Sequence, residues 1–197
     1  MNALAAITAA ASQGVPVSVS ADALVRILTV PGRMEFIDAG QPFKLIVDYA
    51  HEPASTAELY NTVKNIPHRR IIHVFGSTGG GRDVSRRHVL GEMAGENTDI
   101  VIVTTDDPYD DDPGKIAEAV AYGARIKDKI DGETLFIVLD RREAIRKSIE
   151  IAESGDIVLV TGKGSEQIMV LAEGKKIPWD DRAIAREEII KAMKHVA

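Results

Sequence analysis

The chain has 197 residues, with 24 Lys and Arg against 30 Asp and Glu, for a formal net charge of -6. That length supports one sizeable domain, or a domain plus a fragment, and 45% hydrophobic with 27% charged residues is the composition of a folded chain rather than a disordered one. The absence of cysteine excludes disulfides, Cys-ligated zinc, iron–sulfur clusters and thiol nucleophiles, while the acidic balance speaks against a nucleic-acid partner.

No apolar run reaches the roughly 18 residues a membrane helix needs, so no membrane partner is expected. The apolar start lacks a basic region and does not read as a signal peptide. The expected setting is the cytoplasm.

In chain order, Asn2 to Gln13 is an Ala-rich helical stretch stopped by Gly14, and Ser20 is placed to cap a second short helix, Ala21 to Leu28. Two such helices bury little apolar area by themselves, so residues 1–30 read as the tail of a preceding domain. Val30-Pro31-Gly32-Arg33 breaks the helical pattern. A β-α-β-α pattern follows, with strands expected at Lys44–Asp48, Arg70–Phe75, Asp99–Thr104, Thr134–Leu139 and Asp156–Thr161. The helices between them are expected from Pro53 to about Asn65, Ser85 to Glu96, Pro113 to Ile126 and Arg141 to Glu153. A hairpin around Glu173-Gly174 and a last helix, Asp181–Val196, complete the chain. Near-continuous apolar strands joined by single helices specify an α/β fold: a mostly parallel, doubly wound, Rossmann-like sheet with helices on both faces. Ligands bind such sheets beyond the C-terminal strand ends, so the loops there carry the chemistry.

Asp48-Tyr49-Ala50-His51-Glu52-Pro53 follows the first long strand. Asp48 can accept from a ribose or orient a cation, and His51 can contact a phosphate; the same residues also read as a capping turn with an exposed histidine. Gly76-Ser77-Thr78-Gly79-Gly80-Gly81-Arg82-Asp83 offers backbone N–H groups and a guanidinium to an anion. It is neither a Walker A loop nor a dinucleotide GxGxxG, which sets a Rossmann dehydrogenase aside. Asp106 to Asp112 holds five aspartates in seven residues. Asp112 before Pro113 suits a helix start, whereas Asp106 and Asp107 are better placed to grip an ammonium group. Gly162-Lys163-Gly164-Ser165-Glu166 ends the last strand, with flanking glycines that admit a close backbone approach and Glu166 available to a cation. Arg69-Arg70 and Arg86-Arg87-His88 read as solvated element ends. His68, His73, His88 and His195 lack metal-ligand spacing, and Trp179 reads as an anchor of the C-terminal segment.

In order and spacing, Val30–Glu35, Val47–Pro53, Phe75–Asp83, Asp106–Tyr109 and Gly162–Glu166 resemble the Mur ligases, best the MurE branch of UDP-N-acetylmuramoyl-tripeptide synthetases. The resemblance covers nearly the whole chain. It implies an ATP-dependent ligase adding the third, diamino acid residue to UDP-MurNAc-L-Ala-D-Glu in peptidoglycan precursor synthesis, through an acyl phosphate attacked by the amine. Residues 31–197 then correspond to the C-terminal amino-acid-binding domain and residues 1–30 to the end of the central ATP-binding domain. The N-terminal and central domains, with the P-loop and magnesium ligands, would lie upstream. ATP and Mg2+ belong to the full-length enzyme, neither is expected on this chain alone, and the chain alone is expected to be inactive.

By position, the resemblance assigns Arg33, Asp48 and His51 to the nucleotide side and Arg82 to the incoming amino acid's carboxylate. It assigns Asp106, Asp107, Pro108 and Tyr109 to amino-acid recognition, and Gly162 and Glu166 to the far end of that substrate. No metal ligand or catalytic residue is assigned. Tyr109 and Asp107 stand where diaminopimelate-selecting enzymes have arginine and asparagine, which favours L-lysine or ornithine over meso-diaminopimelate. Ser165 stands where histidine is common. Two alternatives are a stand-alone amino-acid or nucleotide-binding module and a Mur-type ligase acting on another polymer.

Overall fold

A computed structural model describes residues 2–27 and 29–196. Leu28, the expected end of the second helix, lies outside them, as does the side chain of His195. The chain divides into two compact units with the boundary between Val30 and Pro31.

The first unit holds α1 (Asn2–Ser12) and α2 (Val17–Val25), neither with a buried residue. Helix α2 corrects the expected Ala21 start. Pro16, with φ -58° and no N–H to satisfy, opens the helix one turn earlier. Ser20 therefore sits inside the helix instead of capping it, and its buried Oγ has no hydrogen-bond partner among the described residues.

The second unit runs β1 (Glu35–Ile37), β2 (Lys44–Asp48), α3 (Pro53–Val63), β3 (Ile71–Phe75), α4 (Arg86–Asn97), β4 (Ile100–Val103), α5 (Pro113–Ile126), β5 (Leu135–Ile137), α6 (Arg141–Ile151), β6 (Ile157–Thr161), β7 (Ile168–Val170), β8 (Lys176–Pro178) and α7 (Asp181–Val196). Six strands form one sheet in the order β1-β2-β6-β3-β4-β5. All neighbours are parallel except β1 on β2. Strand β1 was not expected, because three residues at a sheet edge need no apolar run. Strands β7 and β8 form the expected hairpin, with Glu173-Gly174 in its turn.

The strands alternate between two apolar layers, as period-2 side chains must. Leu45, Val47, Ile72, Val74, Ile102, Val158 and Val160 face α6 and α7, where Trp179 also packs. Ile46, Ile71, Ile157 and Leu159 face α3, while Phe75, Val101 and Val103 face α4 and α5. Helix starts follow the sequence. Asp112 Oδ1 accepts from Gly114 N at 2.8 Å, and Asp140 Oδ1 accepts from Glu143 N at 3.0 Å. The register pairs Asp48 with Thr161 and Phe75 with Val103, which brings the C-terminal strand ends level. No described helix is long and apolar enough to cross a membrane.

Candidate amino-acid site at the carboxyl ends of the strands

The loops after β2, β3, β4 and β6 enclose a polar cavity of about 270 Å³. The β2 loop contributes Tyr49, His51 and Glu52, and the glycine-rich loop with the start of α4 contributes Thr78, Arg82 and Arg86. Asp106, Asp107 and Tyr109 come from the β4 loop, Gly162 and Glu166 from the β6 loop. Arg33 and Asp48 do not line the cavity. Arg33 lies over the Tyr49 ring, 4.2 Å from its centroid. Both Asp48 oxygens accept backbone donors, Met34 N at 2.7 Å and Ala50 N at 2.8 Å, so this carboxylate fixes its own loop first. Another groove, of about 980 Å³ along α6 and α7, holds none of the residues singled out above.

Three glycines of the loop, Gly76, Gly79 and Gly80, pack against protein, whereas a Cβ on Gly81 would meet open space. Gly79 lies against the Pro108 carbonyl and donates to Asp107 O at 2.8 Å, and a Cβ on Gly80 would strike the Tyr109 ring. Gly79 and Gly80 are thus required for seating the Asp106–Tyr109 loop. Gly162, at φ 110°, leaves its missing Cβ 2.6 Å from Asp106 Oδ2, a position no L side chain could take. Tyr109 itself has φ 50°.

Lys163 corrects the reading of the acidic loop. Its side chain is fully buried, with Nζ 2.8 Å from Asp107 Oδ1 and 2.7 Å from Glu166 Oε2. Burial opposes its charge, but Asp106, Asp107 and Glu166 outweigh that and raise its pKa. The acidic loop therefore already contains one ammonium. Asp107 Oδ1 also accepts from Val170 N at 2.8 Å, whereas no donor among the described residues reaches Oδ2. Burial raises the pKa of Asp106, against the pull of Arg141 and Lys163.

Beneath the cavity, Arg141 is fully buried and forms a two-toothed pair with Asp181, Nε at 2.9 Å and Nη2 at 2.7 Å. It also donates to Thr161 O at 2.7 Å and to Thr105 O at 3.3 Å, tying the β4 and β6 loops to the start of α7. Trp179 Nε1 donates to Asp181 at 2.8 Å. On the other side of the sheet, His73 bridges Tyr60 Oη at 2.8 Å and Thr161 Oγ1 at 2.9 Å. Burial, aided by the Arg141 charge, lowers its pKa to about 3, so it is neutral in the folded chain.

The basic pairs correct another expectation. Arg86 is nine-tenths buried, pairs with Glu52 through Nη1, and keeps a buried Nε without a partner among the described residues. Arg70 and Arg87 are also largely covered, on Asp156 and Asp111 respectively. Sequence reasoning missed Arg86, Lys163 and Arg141. A signal for Arg86 was available, since it opens the helix that follows the glycine-rich loop, one turn beyond Arg82.

Residues 32–164 match the family described as Mur ligase, glutamate ligase domain. The chain belongs to the Mur ligase family. It is 44% identical over 188 residues to a UDP-N-acetylmuramyl-tripeptide synthetase of Roseiflexus sp. (strain RS-1), covering 95% of this chain and 36% of that protein. It is 41% identical over 186 residues to a UDP-N-acetylmuramoyl-L-alanyl-D-glutamate--2,6-diaminopimelate ligase of Syntrophomonas wolfei, covering 94% and 37%. The solved structure of another ligase of the latter kind superposes with a TM-score of 0.72 at 32% identity, over 96% of this chain and 38% of that one. The chain thus spans a little over a third of the length of these relatives.

Proposed function

We propose that the protein carrying this chain is an ATP-dependent acid–amino-acid ligase that joins a diamino acid to UDP-N-acetylmuramoyl-L-alanyl-D-glutamate in peptidoglycan precursor synthesis. Residues 31–197 are its amino-acid-binding domain, and residues 1–30 the end of the unit before it. Membership of the Mur ligase family and the names of the relatives support this reading. The observation that carries the amino-acid site is a cavity lined by both a guanidinium and carboxylates: Arg82, without a carboxylate partner among the described residues, and Asp107 with Glu166.

Arg82 receives the carboxylate of the incoming amino acid, and Asp107 with Glu166 receives its distal ammonium. Held at both ends, the substrate presents its α-amine in a fixed direction, and that orientation is this domain's share of the rate. ATP supplies the activation of the acid substrate, with Arg33 and Asp48 on the nucleotide side and His51 nearest the cavity. The described residues include no group of three or more His, Asp or Glu that could hold a metal. The 197-residue sequence contains no Gly-Lys-Ser/Thr phosphate loop. We therefore expect the chain alone not to turn over ATP; measurable turnover by it overturns that.

Within the diamino acids, charge favours L-lysine or ornithine over meso-diaminopimelate. Arg86 is committed to Glu52, and Lys163 offers one positive charge to the two carboxylates of Asp107 and Glu166. With Asp106 also 3.9 Å from Lys163 Nζ, at least one negative charge remains at that end, which an ammonium offsets. A second carboxylate would find Tyr109 there and no free guanidinium, a poorly solvated arrangement. Titration of the nitrogen-15-labelled chain with the three amino acids tests this. Lysine or ornithine is expected to move the amides around Arg82, Asp107 and Glu166 at lower concentration than diaminopimelate, and the reverse order refutes the preference.

A further inference from the structure

Tyr49 stands between the two sides of the site. Its hydroxyl donates to Glu166 Oε1 at 3.0 Å, while its ring carries the Arg33 guanidinium at 4.2 Å and meets the His51 ring edge-on at 4.7 Å. Its backbone carbonyl lies 2.8 Å from His51 Nδ1. Three segments close around it without spare room. A Cβ on Gly164 would lie 2.7 Å from Tyr49 Cβ and 2.9 Å from Gly32 O, and one on Gly32 would strike the Gly164–Ser165 backbone. Arg33 Nη1 donates to that same Gly32 carbonyl at 3.2 Å.

From this junction we propose that Tyr49 is a positioning residue for both substrates at once: its hydroxyl sets Glu166 for the amino acid, and its ring seats Arg33 for the nucleotide. The inference rests on the site reading given above, and it adds a residue which that reading leaves without a role. The two halves are chemically separable. Glu166 is gripped twice, by Lys163 at Oε2 and by Tyr49 at Oε1. Loss of the hydroxyl therefore loosens the carboxylate without releasing it. Arg33 needs only the ring face, which a phenyl group supplies equally well. Burial and the bond to Glu166 both raise the phenol's pKa, so it remains a donor.

Two variants separate the halves. Tyr49→Phe removes the hydroxyl and keeps the ring; Tyr49→Leu removes both. Dissociation constants for L-lysine and for ADP are measured on the full-length ligase, whose upstream domains supply the rest of the nucleotide site. We expect Y49F to weaken lysine about fivefold, the middle of the range for a net intramolecular hydrogen bond, and to leave ADP within about twofold. Y49L is expected to weaken both ligands, ADP by about threefold or more, as loss of a cation–π contact implies. The Arg33 Nε–Hε resonance gives a ligand-free check: its ring-current shift persists in Y49F and vanishes in Y49L.

A general loss of fold would lower both affinities in both variants and would not produce this split. Unchanged lysine binding in Y49F overturns the Glu166 half, and unchanged ADP binding with an unmoved Arg33 resonance in Y49L overturns the Arg33 half. If the unaltered full-length ligase binds neither ligand, the site reading itself fails and this inference falls with it.

Discussion

At the amino ends of β3 and β6, Arg70 Nη2 lies 2.6 Å from Asp156 Oδ2, and Arg69 and Glu153 complete the cluster. At the carboxyl ends of the same two strands, Lys163 meets Asp107 and Glu166, with Arg82 and Arg86 nearby. Both clusters mix basic and acidic residues, and both contain a fully buried charge: Asp156 in one, Lys163 in the other. They differ in what is left over. Asp156 is satisfied by Arg70 and the Glu153 N–H, and Arg70 Nη2 also donates to Ile151 O at 3.2 Å. At the other end Asp107 Oδ2 lacks a donor and Arg82 a carboxylate partner among the described residues, and both residues line a cavity. Ion pairs alone do not mark a site; a surplus of donors and acceptors facing open space does.

The sharpest break of that contrast is expected inside the carboxyl-end cluster, at a pair that is purely internal. Asp181→Asn keeps the shape but leaves the Arg141 guanidinium, 0% exposed, without its counter-charge. Breaking such a pair typically costs about 3–5 kcal/mol. Urea unfolding should show that loss, and amides at Thr105 and Thr161 should move because Arg141 holds both carbonyls. A loss below about 1 kcal/mol, the level of an exposed pair, would mean that Arg141 does not organise the two loops.

The amino-end cluster should cost less and should be blind to ligand. Asp156→Asn is expected to destabilise by about 2 kcal/mol, below the fully buried case because Arg70 remains a quarter exposed. Burial alone would raise the pKa of Asp156, but its bonds from Arg70 and the Glu153 N–H win and hold it below its ordinary 3.8. A carboxylate lowered by folding stabilises the chain above its unfolded pKa, and that stability is lost as the pH falls through the folded value. Stability of the parent chain should therefore decline below about pH 4 more steeply than that of the variant. Amino-acid titrations should be unchanged; a shifted lysine affinity in Asp156→Asn would erase the distinction between the two ends.

The sheet was legible because β2, β3, β4 and β6 are apolar runs too short for helices, each bounded by turn or capping residues. Strand β1 and the start of α2 were not, since one depends on its neighbour β2 and the other on Pro16 overriding a better capping residue. The loops of the site were legible from their glycines and carboxylates. What each carboxylate touches was not. Lys163 is next to Gly162 in sequence, yet its partner Asp107 lies 56 positions away, and Arg141 meets Asp181 across 40. Arg86 looks like a solvated helix start until Glu52 is folded over it.

The smallest expected effect lies at Tyr109, where the comparison becomes one of selectivity. The side chain lines the cavity and packs on Gly80, and its backbone already sits at φ 50°, so Tyr109→Arg asks for no new backbone conformation. Stability should change by no more than about 0.5 kcal/mol. The new guanidinium would supply the surplus positive charge that the far end of the cavity lacks. Relative affinity should then move toward meso-diaminopimelate and away from L-lysine by about tenfold, about 1.4 kcal/mol. Paired titrations of the parent and the variant with both amino acids read this ratio directly. A ratio that stays fixed would place the choice with Lys163, Asp107 and Glu166, which already share one positive charge between two carboxylates, and would remove Tyr109 from the account of selectivity.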